Sequence, residues 1–428
     1  MVAKERGFPK TKLTLAYFPD TFRGMMATRD IEQGEAIVRV PDRLLVTASK
    51  AKAAVLSRAK ARSPSFGSDW GLSEHQSLAY WVYAETELQE KSEWASYICS
   101  LPRDFASVPL FVLSGEAPSS TIDTTSSDGV RWVAAHLPQP LRQKVSEQQS
   151  RLFGDWSLTR ASPAVAQSLP LTNWRLYVWS WLVASTRCIH LGRQGSIALA
   201  PLLDLLNHSE TASISALYDT ERGHFVIKTN RPFKRGQEVF ISYGPHDNIF
   251  MLAEYGFVLA CNPYQHLNLD HAVELWVAAA KARLLERRRA ASASPADIDA
   301  LVDVLRQRGL WGDFALSADD VEPPYRLQAA LRLLLPAESR QEQRPNPKRA
   351  IAQWERWRRG EPEAAASSSA LHSAVASWTR AACQGILSVS DRMIRDTSQH
   401  SAGLDAFLVH CLHTVWREIS AIAACHCA

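Results

Sequence analysis

Among 428 residues there is no Gly-x-Gly pair. This removes the fingerprint by which a Rossmann turn brings backbone against a pyrophosphate. No Gly-x-x-x-x-Gly-Lys-Ser/Thr run occurs either, which excludes a P-loop nucleotidase. A Gly-x-Ser-x-Gly elbow and a His-Glu-x-x-His pair are also missing, so the common serine hydrolase and helical zinc arrangements lack support. Apolar runs approaching the ~20 residues of a bilayer span are absent. So is an excess of charge: 48 basic against 44 acidic residues leave a net +4. That balance gives no electrostatic case for a nucleic-acid partner.

What remains is ordinary globular composition, with 46% hydrophobic and 21% charged residues. The length allows two or three domains. The start, MVAKERGFPK, is basic but is not followed by an apolar stretch, so a secretory signal is not expected. Seven cysteines (99, 188, 261, 383, 411, 425 and 427) are odd in number and scattered, which suits reduced thiols. The expectation is a soluble intracellular protein, cytoplasmic or nuclear, working as a monomer without a membrane partner. Cys425-His426-Cys427 has no second ligand pair at zinc spacing, so no metal site is assigned.

The chain runs through four successive textures. Leu13 to Thr47 is β-rich, and two short strands flanking Gln33-Gly34 read as a hairpin. From Lys50 to about Leu182 helical spacing dominates, as in LSEHQSLAYWVYAETEL and the Trp-rich NWRLYVWSWLVASTR. Residues 114–129, SGEAPSSTIDTTSSDG, interrupt this block as a polar low-complexity loop. The β texture returns at Ile197 and runs to RGQEVFISYG, where Val239, Ile241 and Tyr243 fall on one face of a strand. After Cys261 the chain is helical to its end, and Leu327, Leu331 and Leu334 form a core-facing stripe. RRR at 287–289 and RWRR at 356–359 lie on helical patterns and read as solvated faces. The two β stretches look like halves of one domain with a helical block inserted between them.

Within the second half, PLLDLLNHSE runs four leucines into Asn207-His208. Taken alone, the pair reads as a segment end capped by a side-chain amide. Four further stretches change that reading: T21-F22-R23-G24-M25, S185-T186-R187, D204-L205-L206-N207-H208, and G236-Q237-E238-V239 through Y243-G244 to Y255-G256-F257. In this order they resemble the split SET domain of protein methyltransferases, in the branch typified by Rubisco large-subunit methyltransferase. Residues 101–105, LPRDF, resemble the helical insert of that branch, and the helical remainder its C-terminal substrate-binding domain. Two features depart from the pattern: the F-P-D-T-F-R loop lacks small residues, and residues 111–130 lack the helical, acidic pattern of the insert. The lack of a cysteine cluster after Cys261 agrees with a branch that uses a helical domain instead.

The resemblance implies an α+β fold with a split SET-type β core. Core halves at 10–48 and 183–260 and a helical insert at 49–182 would make a domain over 10–260. An all-helical domain would follow at 261–428. It implies S-adenosyl-L-methionine as cofactor, held by Thr21, Phe22, Arg23, Gly24, Arg187, Asn207, His208, Tyr243 and Phe257. Arg187 would pair with the cofactor carboxylate, where a planar guanidinium suits a planar anion. Tyr243 and Tyr255 would be the catalytic residues, and Arg187, Asp204, Tyr243 and Tyr255 would meet a protein substrate carrying a methylatable lysine. A target lysine has an ordinary pKa near ~10.4, so a dry aromatic channel must favour its neutral form. Two alternatives stay open: a protein-histidine methyltransferase of the same fold, and a catalytically silent binding module.

Overall fold

In the computed structural model, the described residues are 10–64, 71–115, 128–192, 197–286, 295–338, 347–361, 368–399 and 404–427. The chain divides into two compact units. One comprises residues 1–135 and 141–263, the other 136–140 and 264–428.

Among the described residues, the first unit holds ten short strands. They are β1 (Leu13–Phe18), β2 (Phe22–Ala27), β3 (Ala36–Pro41), β4 (Val46–Thr47), β5 (Cys188–His190), β6 (Ile197–Leu199), β7 (Asn207–His208), β8 (Ile214–Asp219), β9 (His224–Thr229) and β10 (Phe240–Ile241). The β segments at the two ends of this unit pair with one another. Strand β3 lies antiparallel to β9, which also pairs with β8, and β4 lies antiparallel to β6, which also pairs with β5. Strands β7 and β10 run parallel, with Phe240 opposite Asn207 and Ile241 opposite His208. The two halves share one core. Met25, Ala27, Val38 and Val40 from the first half pack with Leu203, Leu206, Phe225, Ile227 and Val239 from the second.

Two details differ from the sequence-based expectation. The hairpin joins β1 to β2 around Pro19-Asp20-Thr21, and β2 does not pair with β3 across Gln33-Gly34. The reason is competition from the second half: Gly34 N–H donates to the Thr229 carbonyl and Val239 N–H to the Met25 carbonyl. The EVFISY strand is also shorter than its alternation suggests, since only Phe240 and Ile241 join a ladder. Beyond Ile241, the Tyr243 N–H donates to the His208 imidazole Nδ1 at 3.0 Å instead of to a strand carbonyl, and the ladder stops.

Between the halves, the helix Glu74–Leu88 begins at a capping box, with Ser73 and Gln76 bonding each other's backbone N–H. Every residue from Gln76 to Glu85 is buried, so it is an interior helix rather than an amphipathic one. It packs on the helix Trp174–Arg187, which opens on an Asn173 side-chain cap. Most of the polar loop 114–129 lies outside the described residues.

The second unit is mainly helical, with helices Asp270–Glu286, Pro295–Gln307, Tyr325–Leu334, Pro347–Arg358, Ser368–Gln399 and Ala406–Cys425. It is not the all-helical domain expected: Leu267–Asn268 pairs antiparallel with Ala315–Leu316. Leu327, Leu331 and Leu334 are fully buried, as their spacing requires. The basic run at 356–359 is not a freely solvated face. Arg356 and Arg359 pair with Glu361, and Arg358 lies 4.8 Å over the Trp354 ring. The run at 287–289 lies outside the described residues. The His426 imidazole Nε2 donates to the Ser317 carbonyl at 2.7 Å.

Candidate functional site

The loop that joins β1 to β2 arrives in an unusual conformation. Phe22 sits at φ 58°, a left-handed backbone that bulky residues avoid, and Leu202 repeats this at φ 77° ahead of the turn Leu203–Leu205. Both residues lie within segments singled out in the sequence, Phe22 in 21–25 and Leu202 in 201–210. Asn207 ties them together. Its amide nitrogen donates to the carbonyls of Thr21 (3.3 Å) and Arg23 (3.1 Å) and to Glu238 Oε1 (2.8 Å). The Thr21 hydroxyl donates to the other carboxylate oxygen, Glu238 Oε2, at 2.5 Å. Glu238 therefore clasps residues from both halves of the domain, using charge-assisted hydrogen bonds. Gly24 lies beneath it, and a Cβ at that position would meet the Glu238 carboxylate and stand 2.9 Å from Asn207 Nδ2. No larger residue fits while the clasp is closed.

This changes the role expected of Asn207. Its N–H groups are committed to the chain itself, so the side chain shapes the 21–24 loop instead of reaching outward. Glu238 was not among the expected site residues. Its signal was its place between Gln237 and the buried Val239, an acid on a segment otherwise entering the core.

Arg187 and Asp204 make a second cluster. An Arg187 guanidinium nitrogen donates to the Asp204 backbone carbonyl, and the Asp204 carboxylate accepts the Tyr97 hydroxyl at 2.7 Å. Arg187 Nε and Asp204 Oδ1 are buried with no hydrogen-bond partner among the described residues. Buried polar groups are nearly always satisfied, so orphaned atoms on these two contacting residues make the pair a candidate binding position. Burial pushes the Asp204 carboxyl above the usual carboxylate range, against the pull of Arg187, the Tyr97 hydroxyl and Arg23. Burial also depresses the Arg23 guanidinium, with Arg187 adding to that. Tyr97, from the helical insert, is a neighbour that sequence reading missed, because its partner lies 107 residues away.

The raised Asp204 carboxyl has a consequence for stability. A folded-state pKa above the unfolded one favours the protonated fold, so this contribution is complete below the ordinary carboxylate pKa near ~4 and is lost as pH rises through the raised value. Asp204→Asn removes the titration while keeping an acceptor for Tyr97. Thermal midpoints should therefore show the variant gaining on the wild type between pH ~4.5 and pH ~8. A gap that does not change with pH would contradict this.

The third element is aromatic. The Tyr243 hydroxyl donates to the Leu206 carbonyl at 2.8 Å, and its ring centroid lies 4.8 Å from Tyr255, 6.5 Å from Phe257 and 5.2 Å from His208. Burial raises the Tyr243 phenol well above its ordinary value and also raises that of Tyr255, so both stay neutral near pH 7. His208, buried and with Nδ1 accepting from the Tyr243 backbone, has its pKa lowered by burial. The turn at Gly256 (φ 78°) places Phe257 beside the two tyrosines, and a side chain there would collide with Ser107 and Val108. Tyr243, Tyr255, Phe257 and His208 thus meet in one cluster. Arg187 and Asp204 contribute to the electrostatics of Tyr243, which puts the polar cluster within range of the rings. Of the expected site residues, Phe22 is the outlier, since its side chain is exposed and edge-on to Tyr17 at 6.1 Å.

Known proteins resemble this chain in sequence and in fold. The chain is 28% identical to SET domain-containing protein 4 of Mus musculus over 77% of this chain and 70% of the relative. It is 27% identical to a ribosomal lysine N-methyltransferase of Schizosaccharomyces pombe, over 64% and 63% of the two chains. An actin-histidine N-methyltransferase of Canis lupus familiaris is 26% identical over 63% of this chain but 44% of its own. Among solved structures, the SET domain of LSMT bound to lysine and AdoHcy superposes with a TM-score of 0.63 at 15% identity, covering 99% of this chain and 87% of that one. Rubisco LSMT bound to AdoMet gives 0.57 at 16% identity, covering 99% and 89%. At such identities the likeness speaks for the fold, which is the α+β arrangement expected from the motifs. With a SET domain model matched over residues 23–244, more than half of its 428 residues, the chain belongs to the SET domain family.

Proposed function

We propose that the protein is an S-adenosylmethionine-dependent protein-lysine N-methyltransferase. The observation that carries this reading is the aromatic cluster of Tyr243, Tyr255 and Phe257 together with Arg187, whose buried Nε has no hydrogen-bond partner among the described residues. The relatives named as methyltransferases support it, and the lysine-modifying one is matched over a larger share of its own length than the histidine-modifying one.

The residues present suit the cofactor. Arg187 Nε is an orphaned buried donor of the kind a carboxylate satisfies, and the absence of a Cβ at Gly24 lets Glu238 and Asn207 close over the 21–24 loop and fix its shape. Arg187 would hold the carboxylate end, and the 21–24 loop with the backbone of Asn207 and His208 would hold the rest. When bound, S-adenosylmethionine supplies a methyl group on a sulfonium sulfur. The chain's task is then alignment, exclusion of water and selection of a neutral amine. Because the Tyr243 hydroxyl gives its only proton to Leu206, its oxygen is left as an acceptor and would hold an amine N–H. Tyr255 and Phe257 would form the walls, an apolar setting that lowers an amine's pKa towards neutrality. The substrate is a protein; action as a monomer in the cytoplasm or nucleus, without membrane or nucleic-acid partners, is part of the proposal. Among the described residues no helix is long and apolar enough to cross a membrane.

Titration calorimetry with S-adenosylmethionine tests the cofactor directly. The wild type should bind without added metal, and Asn207→Ala should lose ~1–3 kcal/mol of affinity by leaving Glu238 and two loop carbonyls without their shared donor. A folded wild type that gives no binding heat would overturn the reading.

A further inference from the structure

Beyond the three tyrosine and phenylalanine rings the aromatic surface continues, and the activity proposed above makes no use of it. Phe250, on the helix Asn248–Tyr255, lies 6.3 Å from Tyr255. His246 stacks on Phe250 with ring centroids 3.8 Å apart and planes 12° from parallel, covering one face of the ring. The Lys144 ammonium stands over the ring 4.6 Å from its centroid. Lys144 comes from the helical insert, from the long helix Gln139–Ala161. It is half-buried, and no carboxylate or other hydrogen-bond acceptor pairs with it among the described residues. An ammonium held on an aromatic face gains quadrupole attraction but keeps its full charge. A partly desolvated cation without a counter-ion is poised to take an anion.

We propose that Lys144, Phe250 and His246 form an outer subsite that reads a residue flanking the target lysine and takes a carboxylate there. This rests on the lysine methyltransferase reading, because it assumes that the amine enters past Tyr255 towards Tyr243. An aspartate or glutamate beside the target would supply the missing counter-ion of Lys144. A neighbouring lysine or arginine would meet a like charge at short range and be rejected, which is specificity by repulsion as well as attraction. The His246–Phe250 stack fixes the ring, and the ring fixes the ammonium. The subsite thereby selects the sequence around the lysine without touching the reacting atoms.

The test uses the full-length protein with S-adenosylmethionine carrying a labelled methyl group. One probe is an array of lysine-centred peptides with Glu, Ala or Lys at the flanking positions. The second is protein extract from cells lacking the gene, with labelled sites mapped by mass spectrometry. The wild type should favour acidic over basic flanks by roughly tenfold in kcat/KM, expressed mainly in KM. Lys144→Glu should invert that order, and Lys144→Met, which keeps the apolar stem, should abolish the preference. Equal use of acidic and basic flanks by an active wild type would overturn the subsite while leaving the methyltransferase reading intact, as would a preference unmoved by Lys144→Glu. If both proteins bind S-adenosylmethionine yet label no lysine in either probe, the subsite has nothing to read and falls together with the proposed function.

Discussion

Tyr243→Phe should retain the fold and most of the affinity for S-adenosylmethionine while losing turnover by ~10²-fold or more, the scale of one preorganised polar group at a reacting centre. The asymmetry follows from the bonds the residue makes. Its ring packs against Tyr255, Phe257 and His208, and phenylalanine preserves those contacts. What is lost is an oxygen anchored by its proton to the Leu206 carbonyl, 2.8 Å away. The Leu206 carbonyl loses a partner at a net cost of about 1 kcal/mol, too little to unfold a domain of this size. The amine loses the acceptor that aligns it, a loss felt in the transition state and hardly by the bound cofactor. Calorimetry and single-turnover methyl transfer on the same preparation separate the two effects. A variant that transfers methyl at the parent rate would reduce Tyr243 to a wall of the channel and move the acceptor role to Tyr255.

Gly24→Ala should fold yet lose cofactor affinity by roughly ten- to a hundred-fold, which is the size of one or two hydrogen bonds to a charged group. The added methyl would overlap the Glu238 carboxylate and crowd Asn207 Nδ2 at 2.9 Å. Both side chains end in groups that could swing away, but each is held. Glu238 accepts from Thr21 and Asn207, and Asn207 donates to Thr21, Arg23 and Glu238. Making room therefore opens the clasp that shapes the loop. Far-UV circular dichroism should be unchanged, and calorimetry should report the loss. Undiminished affinity would mean that the clasp does not set the loop geometry that the cofactor needs.

The parts of the site that were legible in the sequence are those written as short motifs. Arg187, Asn207-His208, Tyr243 and Tyr255-Gly256-Phe257 each carry a recognisable local pattern, and the fold brings most of them into one cluster. Local periodicity also served the helices, where the Leu327, Leu331 and Leu334 stripe is fully buried. The failures share a physical cause. Which strands pair is settled by partners some two hundred residues apart, so the turn at Gln33-Gly34 looked like a hairpin although β3 is claimed by β9. The length of the EVFISY strand was set by a side chain, His208, that captures the Tyr243 N–H. Glu238, Tyr97 and Lys144 meet their partners across distant segments, and no spacing rule within the sequence reports such contacts. Asn207 stood out in the sequence as part of a motif, but its hydrogen-bond partners came only from the tertiary structure.

The most direct test of the account is to incubate the purified protein and S-adenosylmethionine bearing a deuterated methyl group with protein extract from cells that lack the gene, then map the label by mass spectrometry. The account predicts deuterated methyl groups on lysine side-chain nitrogens with the wild-type protein and a large loss of label with Tyr243→Phe. Label confined to histidine, or a folded, cofactor-binding wild type that leaves every protein in the extract unlabelled, would contradict it.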